Sequence, residues 1–315
     1  MKKPMIILAL ILVLIFIIAL PYKQTSAQPH WVPQKGEMRS SKVVIRLHNL
    51  QPTYIISISD KAAYQYMIQF VQLIEFIDSN QNGQFEPHER TLSRGILCER
   101  THWDVKVVEN DTVLIVNLTA HIRVVSTTPH AGPPNFAYVS IVNRMYKNDV
   151  RIGPYHIRGE SEVKIDIMVW DWPWKNRNSM IALQIAIDYI QGSNYTEKRK
   201  IQMHSSKHEN ENIHEIVFRS TDADYGIVFR SSKDVTVDNN KVPLSGIAVR
   251  ENNSICIVYP HFNEFLVHDP SIRIVQLIEE KVGQMGLTIG SIALIISIAI
   301  TYASIMKIKK KLTSG

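Results

Sequence analysis

Residues 163–169 read Val-Lys-Ile-Asp-Ile-Met-Val, and this stretch decides the fold class. Side chains on a β-strand point alternately to its two faces, so a period of two is the signature of a half-buried strand. Here Val163, Ile165, Ile167 and Val169 share one face, opposite Lys164, Asp166 and Met168. The stretch therefore predicts a strand with an apolar face turned toward a core.

The same period recurs along the chain, at residues 42–47, 54–58, 112–125 and 180–190. Turn-forming residues separate several apolar runs, namely Asp111, Asp238-Asn239-Asn240 and Glu251-Asn252-Asn253. The pattern predicts an all-β, β-sandwich-like domain over residues 42–275. Polar residues dominate 191–212, which is expected to be a long surface loop within one sandwich or the boundary between two lobes.

The N-terminal end resembles a secretion signal. Lys2 and Lys3 precede an uncharged run that ends at Leu20, and the small residues Ser26 and Ala27 suit a signal-peptidase cut. We expect a signal peptide over residues 1–27 and a linker over 28–41. An uncleaved N-terminal anchor remains the alternative, because the apolar run is slightly long for a signal.

The C-terminal end predicts a transmembrane helix over residues 286–307, after a juxtamembrane segment at 276–285. The run from Gly283 to Met306 has no charged residue, which suits a hydrocarbon core roughly 30 Å thick. Lysines follow at 307 and 309–311, and the positive-inside rule places the tail, 308–315, in the cytoplasm. The expected location is the cell membrane, crossed once, with the ectodomain outside.

This topology explains the charge. The leader lysines (Lys2, Lys3 and Lys23) and the four lysines at 307 and 309–311 together exceed the formal net charge of +6. The ectodomain is thus not basic, and nothing in its charge predicts nucleic-acid binding. Outside a membrane, Cys98 and Cys256 are a candidate disulfide, although ordinary buried thiols are the alternative. Candidate N-glycosylation sites begin at Asn110, Asn117, Asn194 and Asn252.

The most specific motif is the twelve-residue stretch from Asp78 to Glu89. Its oxygen-bearing side chains at positions one, three and five, its glycine at six and its glutamate at twelve match the calcium-loop pattern. The expected Ca²⁺ ligands are Asp78, Asn80, Asn82, the Gln84 carbonyl, Glu86 through water, and Glu89. The alternative is an Asn/Gly-rich turn between strands.

A helix precedes the loop of an EF-hand, whereas residues 64–76 alternate like a strand. The loop therefore resembles the strand-borne calcium loops in the B repeats of bacterial surface adhesins. That resemblance covers the loop and its flanking strand, and it implies calcium stiffening of a β domain rather than opening of a helix pair.

A wider pattern joins this loop to residues 170–174 (Trp-Asp-Trp-Pro-Trp), 259–261 (Tyr-Pro-His) and 267–270 (Val-His-Asp-Pro), ahead of one membrane helix. It looks like a group of uncharacterised archaeal single-pass surface proteins. The resemblance implies topology and lends no catalytic residues.

Trp170, Trp172 and Trp174 have two interpretations. Spaced on a strand, they are expected to share a face, which suits a stacking surface for sugar rings. Core packing at one end of the sandwich is the favoured alternative.

Motifs for catalysis are weak. His208-Glu209 and His214-Glu215 each lack the second histidine of the zinc-protease signature. His261, His268 and Asp269 lie close in sequence, where structural hydrogen bonding is favoured over catalysis. The sequence thus predicts a calcium-stabilised surface protein, not an enzyme, whose ectodomain contacts an extracellular protein or glycan. A surface hydrolase acting on carbohydrate and a structural envelope component are the alternatives.

Overall fold

A computed structural model describes residues 37–58, 64–98, 101–127, 135–191, 201–206, 213–220, 225–250 and 253–276. All of them belong to one compact unit of the chain, residues 31–315. The predicted signal peptide and transmembrane helix, the cytoplasmic tail, most of the linker and juxtamembrane segment, and Asn194 and Asn252 lie outside these residues. Within the described part of the chain, no helix is long and apolar enough to cross a membrane.

The described residues form strands connected by turns and one 3₁₀ turn at His48–Leu50. The strands are β1 Glu37–Arg39, β2 Val43–Leu47, β3 Thr53–Ile58, β4 Tyr64–Ile77, β5 Arg90–Ile96, β6 Asp104–Glu109, β7 Val113–Ser126, β8 Asn135–Tyr146, β9 Val150–Ile152, β10 Tyr155–Ile157, β11 Glu162–Trp170, β12 Met180–Gln191, β13 Ile201–Ser206, β14 Ile213–Ser220, β15 Tyr225–Ser232, β16 Asp234–Val237, β17 Asn240–Pro243, β18 Gly246–Arg250, β19 Ser254–Tyr259, β20 Phe265–His268 and β21 Ser271–Gln276. The prediction of an all-β chain is confirmed for this part of the molecule.

Every strand pairing is antiparallel, and the pairings follow two main paths. One path runs β1-β2-β3-β4-β12-β19-β18. The other has β7, β8 and β11 at its centre, flanked by β5 and β6 on one side and by β20 and β21 on the other. Strands β15, β14 and β13 extend the second path from β21, and β16 and β17 extend it from β20. Strand β5 joins the two paths because it pairs with both β4 and β7.

One large hydrophobic cluster includes side chains from both paths. It contains Ile68 and Phe70 of β4, Ile185 of β12, Val116 of β7 and Ile165 of β11, none more than 1% exposed. Burial of an aliphatic side chain of this size contributes about 1.5–3 kcal/mol, so the alternating apolar faces supply the main stabilisation of the fold. The predicted strand at 180–190 is confirmed as β12.

Strand β11 differs from the prediction on one face. Val163, Ile165, Ile167 and Val169 are buried as expected. On the opposite face Lys164 is also buried, at 1% exposure, because its ammonium group lies 5.0 Å from the Tyr155 ring of the β9–β10 hairpin. The hairpin therefore covers Lys164, which the alternation alone placed at the surface.

The polar stretch at 191–212 also differs from its prediction. Residues 201–206 form β13, which pairs with β14 along its whole length. The described part of this stretch is therefore a sheet edge rather than an open loop.

Candidate functional site

The candidate calcium loop connects two neighbouring strands of the first path. It begins after Ile77, the last residue of β4, and ends before Arg90, the first residue of β5. The predicted strand ahead of the loop is confirmed as β4. The loop therefore lies in a β context, as the sequence indicated.

Backbone N–H groups of the loop donate to the side chains at positions one, three and five. Gly83 N donates to Asp78 Oδ2 at 2.8 Å, and Asn82 N lies 3.3 Å from Asp78 Oδ1. Asn82 N also lies 3.2 Å from Asn80 Oδ1, and Gln84 N donates to Asn82 Oδ1 at 2.8 Å. These bonds draw the oxygens of all three side chains toward the turn of the backbone.

Glu89 folds back over the loop. Its side chain accepts hydrogen bonds from Glu86 N at 2.8 Å and Ser79 N at 3.3 Å, and the residue is only 5% exposed. Burial raises the pKa of Glu89, and the charges of Asp78 and Glu86 raise it further, against the lowering effect of the two N–H bonds. The negative charges of Asp78 and Glu86 therefore act on Glu89 within the loop.

Glu86 binds the amide groups of the loop. Asn80 Nδ2 donates to it at 2.9 Å and Asn82 Nδ2 at 3.2 Å, while His88 Nε2 lies 3.2 Å away. Among the described residues, no three His, Cys, Asp or Glu side chains form a group that could hold a metal ion. A cation in this loop would therefore need amide and carbonyl oxygens as well, which is the donor set that calcium accepts.

The loop is packed tightly against the turn that leads into β18. Gly83 has φ +71°, and a Cβ atom there would lie 2.3 Å from the Ser245 carbonyl oxygen. Phe85 packs on Phe76 with ring centroids 4.9 Å apart, and the Arg250 guanidinium donates to the Phe85 carbonyl. Residue 83 must be glycine, both because its backbone is left-handed and because the two segments of the chain approach each other so closely there.

The three tryptophans do not share a face, and that prediction is wrong. Strand β11 ends at Trp170, and the next residue, Asp171, has φ +53°, so the alternation stops there. Trp172 turns into the hydrophobic cluster at 4% exposure, whereas Trp174 lines a surface cleft. Core packing is thus the role of Trp172, and the partly buried Trp174 packs against the same cluster from the cleft side.

Trp170 instead belongs to an aromatic row that crosses four strands. Tyr138 of β8 pairs with His121 of β7 on one side and with Trp170 on the other, and Trp170 pairs with Phe265 of β20. Ring centroids are 5.1 Å apart both between His121 and Tyr138 and between Tyr138 and Trp170. None of the four residues is buried, so the row lies on an accessible face of the sheet.

The cleft beside Trp174 has a volume of about 560 Å³. Its described lining is Trp174, Lys175, Asn176, Arg177, His261 and Asn263. The Trp174 and His261 rings stack with centroids 4.0 Å apart and an interplanar angle of 31°, and Phe262 packs edge-on against Trp174. Sequence reasoning singled out Trp174 and His261 separately and missed the other residues of this cleft, because only the fold brings 174–177 and 261–263 together.

Two carboxylates hold the walls of the cleft. Glu75, fully buried, accepts hydrogen bonds from Lys175 N at 2.7 Å, Asn176 N at 3.2 Å and the Ser179 hydroxyl at 2.7 Å. On the other wall, Asp238 accepts bonds from the backbone N–H of residues 263, 264 and 265. Burial raises the pKa of Asp238, but these bonds together hold it below its ordinary value. Both loops are therefore fixed in place before any ligand arrives.

His268 does not join His261 at this cleft. It is 1% exposed, with the Tyr259 hydroxyl 2.9 Å from Nδ1 and Ser231 Oγ 2.9 Å from Nε2. Burial lowers the pKa of His268 to about 3, and the nearby positive charge of Lys164 acts in the same direction. Because Ser231 Oγ also lies 3.1 Å from the Ser232 carbonyl oxygen, the three groups form a neutral buried network with a structural role.

A second buried network lies under the β9–β10 hairpin. Arg230 Nη1 donates to Glu162 Oε1 at 2.9 Å, and Ser271 Oγ donates to the same oxygen at 2.6 Å. Arg230 also donates to the His156 carbonyl, at 3.2 Å, which ties the hairpin down. Burial lowers the pKa of Lys164 to about 8, against the raising effect of Asp269.

The remaining predicted positions are those of the candidate disulfide and of the candidate glycosylation sites. Cys98 and Cys256 are both buried, and no disulfide joins them. Asn110 is exposed at a turn, where its Oδ1 accepts a bond from Thr112 N, whereas Asn117 lies within β7 and accepts a bond from the Ser140 hydroxyl. Of the two described sequons, Asn110 is thus the better placed for glycosylation.

Comparison with known proteins gives little further guidance. No protein family and no curated protein matches the chain. Among solved structures, an alpha-mannosidase from Enterococcus faecalis V583 is similar to 82% of this chain, with 7% sequence identity and a TM-score of 0.47. The match covers 31% of that protein, so the chain spans about a third of its length. This likeness is too distant to assign a fold family or an activity.

Proposed function

We propose that this chain is a calcium-stabilised cell-surface protein, with a β-sandwich-like ectodomain held by one C-terminal transmembrane helix and contacting an extracellular protein or glycan. The apolar C-terminal run with its lysines supports the membrane topology. The observation that carries the calcium proposal is the loop from Asp78 to Glu89. There the side chains at positions one, three, five and twelve all turn back on one short segment of backbone.

The residues fit a calcium ion chemically. Calcium takes six to eight oxygen ligands, both charged and neutral. Asp78 and Glu89 would supply carboxylates, Asn80 and Asn82 amide oxygens and Gln84 its backbone carbonyl, with Glu86 acting through water. Burial is the main cause of the raised pKa of Glu89, and the charges of Asp78 and Glu86 add to it; a cation in the loop would relieve that repulsion.

Calcium in this loop would stiffen the ectodomain rather than open it. The loop joins β4 to β5, which is the strand that links the two paths, and it packs against the turn before β18. The modest charge of the loop suggests an affinity in the extracellular range of about 10⁻⁴ to 10⁻³ M. At ten times the dissociation constant, linkage would stabilise the fold by about 1.4 kcal/mol.

Calorimetric titration and thermal melts of the full-length protein in mild detergent test the proposal. Millimolar calcium should raise the melting temperature by several degrees. Asp78→Ala and Glu89→Gln should each remove the rise, whereas Asp111→Ala, at an exposed turn outside the loop, should keep it. If no variant differs from the parent, or the parent does not respond, the loop is an ordinary turn.

Topology needs a separate test. Protease added to intact cells should remove the ectodomain and leave a small fragment that carries the Lys309 tail. Recovery of protected full-length protein, while a known surface control is digested, would contradict the membrane part of the proposal.

The cleft beside Trp174 supports binding over the alternative of a surface hydrolase. Glycoside hydrolysis usually needs two carboxyl groups roughly 5–9 Å apart across the scissile bond. The part of this cleft that the structure describes is lined by no Asp or Glu side chain. A structural envelope component remains a weaker alternative, because a preformed polar cleft is not needed for that role.

A further inference from the structure

We propose that the cleft lined by Trp174, Lys175, Asn176, Arg177, His261 and Asn263 binds an acidic saccharide, a sugar that carries carboxylate or sulfate groups. This inference deepens the proposed function and rests on it for the exposure of the cleft outside the cell. It narrows the unidentified partner to a class of ligand.

The charged side chains of the cleft suit an anionic ligand. Lys175 and Arg177 both line the cleft, and both are exposed. Neither side chain takes part in a salt bridge among the described residues. The carboxylates that hold the walls, Glu75 and Asp238, do not line the cleft. They accept bonds from backbone N–H groups, the Ser179 hydroxyl and the Asn263 side-chain amide. The described lining therefore has two cationic side chains and no anionic one, which complements an anionic ligand.

The aromatic rings and amide groups of the lining suit a sugar. A stacked pair of flat rings, Trp174 and His261, forms part of the lining, and the apolar faces of sugar rings suit aromatic surfaces. Asn176 Oδ1 accepts a bond from Asn178 N and Asn263 Nδ2 donates to Asp238, which leaves the Asn176 NH₂ group and the Asn263 carbonyl oxygen for sugar hydroxyls. A simple inorganic anion would use the cations alone, whereas an acidic sugar uses all three kinds of group.

The loops that form the cleft are held in place by carboxylates of the protein. Glu75 is fully buried, and its Oε1 accepts bonds from the loop that carries Lys175 and Asn176, while its Oε2 accepts a bond from Ser93 of β5. Asp238 does the same for the backbone at Asn263. A buried carboxylate is costly to desolvate, and here it fixes a surface loop. Ligand binding then loses little conformational entropy, which raises affinity.

The test is calorimetric titration of the full-length protein in mild detergent, with calcium chelated so that the metal cannot bridge sugar and protein. The probes are an oligogalacturonate, a sulfated dextran oligosaccharide, a neutral dextran oligosaccharide of the same length, and inorganic sulfate. At least one acidic probe should bind at least tenfold more tightly than both the neutral sugar and sulfate. The two acidic arms distinguish carboxylate from sulfate recognition.

Variants separate the cleft from general electrostatic attraction. Lys175→Ala with Arg177→Ala should weaken binding of the acidic sugar at least tenfold. Lys106→Ala with Arg151→Ala removes the same charge from exposed residues of β6 and β9, and should change binding less than twofold. If the cleft pair lowers the melting temperature, Lys175→Gln with Arg177→Gln replaces it.

Equal losses in the cleft and control pairs would overturn the inference, and so would equal binding of acidic and neutral sugars or no binding at millimolar concentration. Calcium melts of the same preparations keep the two proposals apart. A calcium response without saccharide binding contradicts only this inference. Saccharide binding without a calcium response contradicts only the calcium loop.

Discussion

Replacing Gly83 by alanine tests whether the calcium loop is held by close contact with the turn before β18. Gly83 has φ +71°, and its added Cβ atom would lie 2.3 Å from the Ser245 carbonyl oxygen. A left-handed backbone costs a non-glycine residue about 1–2 kcal/mol, of which about 0.4–1 is offset because alanine restricts the unfolded chain. Relieving the contact requires the two segments to separate by about 1 Å, and overpacking of this kind costs about 1–3 kcal/mol more.

Gly153 provides the matched control. Its φ is +55°, and no atom lies within 4 Å of the Cβ that alanine would add, so Gly153→Ala carries the backbone cost without the clash. In urea unfolding, the Gly83→Ala variant should be less stable than the Gly153→Ala variant by about 1–3 kcal/mol, and the m-value should be unchanged. Gly246→Ala should also destabilise the protein, because its Cβ would lie 2.2 Å from the Gly83 carbonyl oxygen. If Gly83→Ala and Gly153→Ala lower the free energy of unfolding equally, the calcium loop is not held by close contact with the turn before β18.

Three further predictions concern buried polar groups. His268 has a folded pKa of about 3 against an ordinary value of 6.5, so the unfolded chain alone takes up a proton as pH falls between these values. Stability should fall by up to about 1.4 kcal/mol per pH unit from pH 6.5 downward, and urea midpoints that stay level between pH 6.5 and 5 would contradict this. Glu75→Gln places an amide N–H₂ among donors and should cost about 2–4 kcal/mol in chemical denaturation, whereas exposed Glu109→Gln should leave the midpoint unchanged. Glu162→Gln removes the nearer of two carboxylates from buried Arg230, leaving Glu215 at 3.7 Å, and should cost about 1.5–3 kcal/mol in thermal melts, a loss that a fully solvated arginine would not produce.

The sequence predicted those strands that have one apolar face of their own. Val163, Ile165, Ile167 and Val169 are buried as their alternation indicated, and β4 leads into the calcium loop as expected. Burial of an apolar face depends mainly on the residues of the strand itself. For that reason a single sequence was enough to identify these elements.

The aromatic row was not predictable, because strand register is a property of pairs. Nothing near His121 in the sequence indicates that Tyr138 lies opposite it, or that Trp170 lies opposite Tyr138. The burial of Lys164 has the same origin, since the hairpin that covers it belongs to a different segment. The covering segment and the pairing partner are both supplied by the fold.

The tryptophan prediction failed for a local reason. The alternation of Trp170, Trp172 and Trp174 holds only while the backbone stays extended, and Asp171 with φ +53° ends it. Asp tolerates the left-handed region better than most residues, so Asp171 was the signal in the sequence. The strand at 201–206 was missed because its polar composition suits a loop, and only its pairing with β14 identifies it.

Strand β21 has a mechanical consequence for a chain tethered beyond its last described residue, Gln276. The strand pairs with β15 along its length and with β11 at residues 271–273. Antiparallel hydrogen bonds run perpendicular to the strands, so a pull along β21 loads many of them in shear at the same time instead of breaking them one by one. If the proposed transmembrane helix tethers the chain, tension on it would therefore load the pairing of β21 with β15 in its more resistant direction.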